Sequence, residues 1–248
     1  MHDLKVCLDE NLCSLGIERW ISLNGFFSMG QRCLIVGPSG SGKTVFATSL
    51  LGKLSLHLNS PTVYLVDPKG IDFRFCSNCR NYYPVDKAPE GLETFFDLFE
   101  KRLHDPNSPT QPAILFVDEL SSMILSLPKK DGEALKNKMS RILNLSRALN
   151  ISVITALQRA DASFFDNGSR DNYNIRILMG NIANNKESVS MIASEYKDFI
   201  TPCPTGIGYM ITDNGIKKIR SILPRNTKKL HEVIREAVNR RPLGDAEQ

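Results

Sequence analysis

Residues 32–44 read RCLIVGPSGSGKT: five mostly apolar positions, then a turn of glycines and serines that ends in a lysine and a threonine. The apolar run reads as a buried strand, and the residues after Gly42 open a helical stretch that continues to about residue 57. Strand, Gly37-Pro38-Ser39-Gly40-Ser41-Gly42-Lys43-Thr44, helix is the context in which a P-loop forms. Glycines let the backbone curl so that successive N–H groups face phosphate oxygens, and the helix N-terminus adds positive potential. In this reading Gly37 to Val45 cradle a nucleotide, Lys43 reaches its β- and γ-phosphates, and the Thr44 hydroxyl ligates Mg²⁺. ATP and Mg²⁺ are the cofactors this implies.

Outward from that stretch, short β-type runs alternate with longer helical ones. Strands are expected at 62–66, 82–85, 113–117, 151–157 and 175–180. Helices are expected at 90–103, 131–149, 187–195 and 227–241. The run GYMI-TDNG-IKKI reads as a hairpin with Asn-Gly at its turn. Alternation of this kind predicts a three-layer α/β/α fold of the RecA-like P-loop NTPase type, with a mainly parallel central sheet. With no repeat and no low-complexity linker, 248 residues are read as one motor domain, with 1–31 as an N-terminal extension and 224–248 as a basic C-terminal helix.

Composition bounds the partners only loosely. A net charge of +4 tolerates a polyanion without demanding one. The longest apolar runs, such as 33–36 and 113–117, are far too short to span a bilayer. Acidic residues in MHDLKVCLDE replace the basic flank of a signal peptide, so a cytoplasmic location is expected. Six cysteines are then read as reduced thiols. Cys76 and Cys79 have metal-knuckle spacing, but no second pair follows to complete a zinc site.

A second chemical signal is AILFVDEL at 113–120, an apolar strand that ends in two acids. Asp118 would hold Mg²⁺ through water, and Glu119 would orient and polarise the attacking water. A glutamate directly after the aspartate favours a hydrolysing motor-type ATPase over a kinase. No LSGGQ-like run lies between Thr44 and Asp118, which argues against an ABC-type enzyme. RecA-like ATPases place a sensing polar residue at the end of the next strand, and VITALQRAD at 153–161 puts Gln158 there. An amide can report on the γ-phosphate without adding charge.

Three stretches, VDPKG at 66–70, RALNISVITALQRAD at 147–161 and RDNYNIRI at 170–177, give the chain its resemblance to the FtsK/SpoIIIE/HerA group of DNA-pumping ATPases. The resemblance spans about residues 33–211. Asn150, Leu157 and Ala160 stand where the family usually has glycine, threonine and proline, which suits a small, divergent member from a plasmid, conjugative element or virus. The resemblance implies a ring, usually a hexamer, that moves double-stranded DNA with each ATP at a subunit interface. It also implies an arginine finger from the neighbour, for which Arg176 and Arg147 are the candidates, ahead of Arg159 and Arg170. Asp67 and Lys69 would form a pair near the nucleotide, within one chain or between subunits, and are assigned no catalytic role.

DNA contacts would run through phosphates, so basic side chains suffice. Candidates are the loops at 72–80 (Arg74, Arg80) and 160–174 (Arg170), and the tail with Arg220, Arg225, Lys228, Lys229, Arg235, Arg240 and Arg241. Leu230, Val233, Ile234 and Val238 form an apolar stripe that should pack the tail helix on the sheet or on a neighbour. A C-terminal winged-helix reader is not expected in the few residues after the last strand. Two rivals share parts of this reading. A conjugative coupling or viral genome-packaging ATPase would have mobile-element or viral partner proteins, and a nucleotide-gated regulatory protein would move nothing.

Overall fold

In the computed structural model, which describes residues 3–108, 111–161 and 171–242, a single mixed sheet of ten strands organises the chain. Its strands are β1 (Lys5–Asp9), β2 (Trp20–Ser22), β3 (Arg32–Val36), β4 (Thr62–Asp67), β5 (Tyr82–Pro84), β6 (Ala113–Asp118), β7 (Ile151–Leu157), β8 (Ile175–Met179), β9 (Ile207–Thr212) and β10 (Gly215–Arg220). They run in the order β2-β1-β10-β9-β8-β3-β7-β6-β4-β5. Strands β8, β3, β7, β6, β4 and β5 are parallel, as expected for the core. From β9 outward the pairing is antiparallel.

The central strands are apolar at most positions because both faces are covered. Leu34, Val36, Leu115, Val117 and Val153 point to one face, where they meet α3 (Ala88–His104), α4 (Leu120–Ser126), α5 (Lys129–Leu145) and α6 (Lys186–Ala193). Cys33, Ile35, Ile114, Phe116 and Ile154 point to the other, against α2 (Lys43–His57) and α7 (Thr227–Asn239). Three layers result. Helix α7 docks its stripe as the pattern predicts, with Ile234, Ala237 and Val238 buried. Its Leu230 lies so close to α2 that a Cβ at Gly52 would fall 2.0 Å from a Leu230 methyl carbon. A side chain there would have to displace the Leu230 side chain.

Several boundaries differ from the sequence reading. The first 31 residues, read as an extension, supply β1 and β2 and the short helix α1 (Glu10–Cys13). Arg220 on β10 clamps Glu10 in a two-pronged pair, its Nε donating to Oε2 at 2.6 Å and its Nη2 to Oε1 at 2.8 Å. The expected helix over 131–149 is α5, which closes into a 3₁₀ turn before Asn150, and α4 between Asp118 and α5 was missed. The hairpin is present, but Asp213-Asn214 form its loop and Gly215, at φ 96°, pairs with Thr212. Neither loop residue has the positive φ that a primed turn needs, so a glycine after the turn supplies the left-handed step instead.

Candidate functional site

All three chemical stretches converge at the carboxyl edge of the parallel strands, where open α/β sheets bind ligands. Strand β7 lies between β3 and β6, so the strand that ends in Gln158 separates the glycine-rich turn from the acidic pair. The turn begins bonded to that strand, Gly37 N–H donating to the Leu157 carbonyl at 3.1 Å. Ser41 N–H then closes a tight turn on the Pro38 carbonyl at 3.2 Å, with Gly40 at φ 77° in its third position, as a type II turn requires. Gly42 follows at φ 90° and starts α2 without a side-chain cap. The first-turn amides of Lys43, Thr44 and Val45 therefore present donors with no partner inside the helix. Lys43 is buried beneath them.

Asp118 and Glu119 leave the end of β6 in different directions. Asp118 is only 3 % exposed, and its Oδ2 has no hydrogen-bond partner among the described residues. Burial pushes its carboxyl up to about 6, against the pull of Lys43 and Lys69 and with a smaller push from Asp67 and Asp72. Glu119 stands at φ 58°, ψ 56°, a left-handed conformation that costs a non-glycine residue ~1–2 kcal/mol. That backbone is held by Glu119 N–H donating to the Ala156 carbonyl at 2.9 Å. Its Oε2 pairs with Lys69 Nζ at 3.2 Å, and its Oε1 accepts from Ser121 Oγ at 2.7 Å and from Gln158 N–H at 3.3 Å.

Asp118 yields a stability prediction. A carboxyl with a raised pKa favours the folded state at low pH, and that contribution is lost as pH rises from its ordinary value of 3.8 through about 6. Above that the group is ionised while buried, a cost of up to ~3 kcal/mol for a shift of about two pKa units. Asp118→Asn should therefore raise the melting temperature of the nucleotide-free protein at pH 8 by roughly 5–10 °C. The gain should shrink towards zero near pH 4. Thermal denaturation of the two proteins across that range is the check.

Gln158 enters the site through its backbone, with its side chain exposed beside the glycine-rich turn. A cleft of about 500 Å³ opens there, lined by Pro38, Ser39, Glu119, Ser121, Gln158 and Arg159. A neighbouring cleft of about 560 Å³ brings Asn181, Asn184 and Asn185 against Pro38 and Gln158.

Other candidates lie elsewhere. Arg176 donates to the Ile192 carbonyl at 2.6 Å and pairs with Glu195 at 2.6 Å, which ties β8 to the end of α6 within the chain. Arg147 sits just before β7, at the edge of the sheet opposite the glycine-rich turn, and its side chain is exposed with Nε 2.6 Å from Met29 Sδ. Arg170 and residues 162–170 of the loop at 160–174 lie outside the described residues. Asp67 and Lys69 do not pair. Buried Asp67 accepts from Tyr82 Oη at 3.0 Å and Gly70 N–H at 2.9 Å, which leaves Lys69 free to turn towards Glu119.

The loop at 72–80 is docked on the C-terminal helix. Arg80 N–H donates to Asn239 Oδ1 at 3.1 Å, Phe75 stacks on His231 with ring centroids 3.7 Å apart, and Cys79 Sγ approaches the Arg235 carbonyl at 3.7 Å. Burial raises the thiols of Cys76 and Cys79 above their ordinary range. Among the described residues, no group of three or more His, Cys, Asp or Glu is placed to hold a metal. Sequence reasoning missed two partners at the site: Lys69 on Glu119, and Asp72, whose Oδ2 accepts from Thr44 Oγ1 at 3.3 Å. The VDPKG stretch was the one available signal, since it places Lys69 just past a strand at the same edge.

Phosphates need N–H donors and a cation, and magnesium needs hard oxygen ligands. The uncapped first turn of α2, buried Lys43, the Thr44 hydroxyl and the unpartnered Asp118 oxygen fit that pair of requirements.

Comparison with known proteins points the same way. Residues 33–180 match the model of the family described as AAA: ATPase family associated with various cellular activities. The chain is similar to the FtsK domain-containing protein YdcQ of Bacillus subtilis, 22% identical over 235 residues, which is 87% of this chain and 48% of that protein. It is also similar to the DNA translocase FtsK of Leptospira interrogans, 25% identical over 156 residues, 51% of this chain and 16% of that one. The chain thus spans about half of the first relative and about a sixth of the second. Among solved structures it resembles the monomer form of the pCW3 conjugation coupling protein TcpA with ATPγS. That TM-score is 0.69 at 18% identity, covering 94% of this chain and 70% of the other. The RecA-like fold and the FtsK-type resemblance stand. Among the described residues, no helix is long and apolar enough to cross a membrane.

Proposed function

Because this chain belongs to the ATPase family associated with various cellular activities (AAA), we propose that it is an ATP-driven motor that moves double-stranded DNA. One observation carries the ATPase chemistry: a buried lysine, an unpartnered buried aspartate and a restrained glutamate meet at one strand edge under an uncapped helix N-terminus.

In this reading the first-turn amides of α2 and Lys43 bind the phosphates of ATP. Thr44 and Asp118 hold Mg²⁺, which when bound neutralises phosphate charge. Glu119 accepts the proton of the attacking water as its other contacts steady the carboxylate. Releasing Oε2 from Lys69 frees that oxygen for the water. Gln158 couples the γ-phosphate to Glu119 through the backbone N–H that already touches it.

A finger supplied in trans must be free to leave its own chain. Arg176 is engaged on α6, whereas Arg147 is exposed at the opposite sheet edge, so Arg147 is the better candidate. A homo-oligomeric ring, with six subunits as the family expectation, and a cytoplasmic site of action belong to the same reading. DNA would be gripped through its phosphates, with Arg74 and the exposed basic side chains of α7 as candidates.

The names of the relatives support the cargo. YdcQ carries an FtsK domain and FtsK is a DNA translocase. A conjugative coupling ATPase is the second reading, because the fold of TcpA covers nearly the whole chain. Duplex DNA should accelerate ATP turnover several-fold at low salt, with the effect falling as salt rises. Turnover that ignores DNA, in a protein that stays monomeric with ATP and DNA present, would leave only the nucleotide-gated regulatory reading.

A further inference from the structure

A strap from another part of the chain fixes the glycine-rich turn. Thr205 Oγ1 donates to the Gly40 carbonyl at 2.8 Å, and Gly206 N–H donates to the Ser41 carbonyl at 2.9 Å. The contact is backbone on backbone, since a Cβ at Gly42 would fall 2.9 Å from the Gly206 nitrogen. Gly206 itself stands at φ 80°. The strap is anchored on both sides: Ser221 N–H donates to the Gly206 carbonyl at 2.7 Å, Gly180 N–H to the Ile207 carbonyl at 2.7 Å, and Cys203 N–H to the Gly180 carbonyl at 3.2 Å. Thr205 and Ser221 flank the base of the β9–β10 hairpin, so the hairpin closes onto the nucleotide loop.

These bonds have a consequence for the amides. In a trans peptide the carbonyl and the following N–H point in opposite directions. A bond that holds the Ser41 carbonyl towards Gly206 turns the Gly42 N–H away from the strap. The bond on the Gly40 carbonyl likewise locks the Ser41 N–H, which closes the turn on Pro38. Residues 40–42 are glycine, serine and glycine, a sequence with little conformational preference of its own. A cradle built from such residues is preorganised only if something outside it restrains the peptide planes.

We propose that Thr205 is a positioning residue of the nucleotide site, holding the 40–42 peptides so that the turn is closed and the Gly42 amide is set before a phosphate arrives. This rests on the reading of residues 37–44 as an ATP site. Thr205 touches no reacting atom. Its effect falls on binding, because strain-free amides spare the ligand the cost of ordering the loop.

Thr205→Val keeps the side-chain shape and removes the donor, while Thr205→Ser keeps the donor. With N-methylanthraniloyl-ATP as the probe, Thr205→Val should bind about three- to tenfold more weakly, the worth of one neutral hydrogen bond. KM for ATP should rise by the same factor with kcat within twofold, and Thr205→Ser should behave as the parent. Hydrogen exchange at Ser41 and Gly42 in the nucleotide-free protein should quicken in Thr205→Val, with exchange in β3 and the melting temperature unchanged. Equal affinity and KM for Thr205→Val and the parent would overturn the proposal. So would a loss of affinity matched by global unfolding in Thr205→Val and also seen in Thr205→Ser. Failure of the parent itself to bind the probe would instead remove the ATP-site reading on which it rests.

Discussion

Lys43→Ala should abolish ATP hydrolysis, lowering kcat/KM by on the order of 10³-fold or more, the scale of removing a preorganised charge from a phosphate site. Lys43 begins α2, is buried, and lies close enough to Asp118 to be the strongest opposing influence on that carboxyl's upward shift. Its removal acts twice. The phosphates lose a cation held where water cannot screen it. Asp118 loses the neighbour that most favours its ionised form, so it protonates more readily and becomes a poorer oxygen ligand. Binding of N-methylanthraniloyl-ATP with and without Mg²⁺ separates the two effects. Affinity that drops without metal reports the phosphate contact, and a further drop in the benefit of added Mg²⁺ reports Asp118. A variant that hydrolyses ATP at the parental rate would end the P-loop assignment.

Glu119→Gln should bind ATP as the parent does and turn over about 10²–10⁴-fold more slowly, the usual range for loss of a general base. Glutamine keeps the shape and the left-handed backbone, and its amide oxygen can still accept from Ser121 or the Gln158 N–H. What it lacks is the negative charge that takes a proton from water. Lys69, at 3.2 Å from the carboxylate, loses an ion-pair partner, but Lys69 is part-exposed and water can solvate it. A single-turnover measurement with ATP prebound distinguishes slow chemistry from slow binding. Parental turnover in this variant would remove Glu119 as the base and leave its strained, fully bonded geometry without a catalytic account.

Much of this was legible in local pattern. The apolar runs that became β3, β4, β6, β7 and β8 announce buried parallel strands because every position in them but Arg32 and Arg176 is buried. The turn at 37–44 declares itself through glycines, two of which stand at positive φ as the curl demands. Strands β1 and β2 were not legible: they are short, irregular and towards an edge, and they exist because β10 offers β1 a partner and β1 offers one to β2. Helix α4 escaped because seven residues are too few for a period to show. The hairpin turn was misplaced by a single residue for a related reason, since Asn-Gly fits two turn geometries and only the strand register selects one.

Features in which neighbouring residues act together could be read from the chain alone: the glycine-rich turn, the acids at the end of an apolar strand, and the layered parallel core. What the tertiary structure decided are the partners. Lys69 meets Glu119 across 50 residues of sequence, Thr44 meets Asp72 across 28, and Thr205 meets Gly40 across 165. None has a local signature, because a polar side chain's partner depends on strand order and on which face its backbone presents. Arg176 shows the same limit. Its place on β8 can be read from the pattern, but the Ile192 carbonyl and the Glu195 carboxylate that its guanidinium meets cannot.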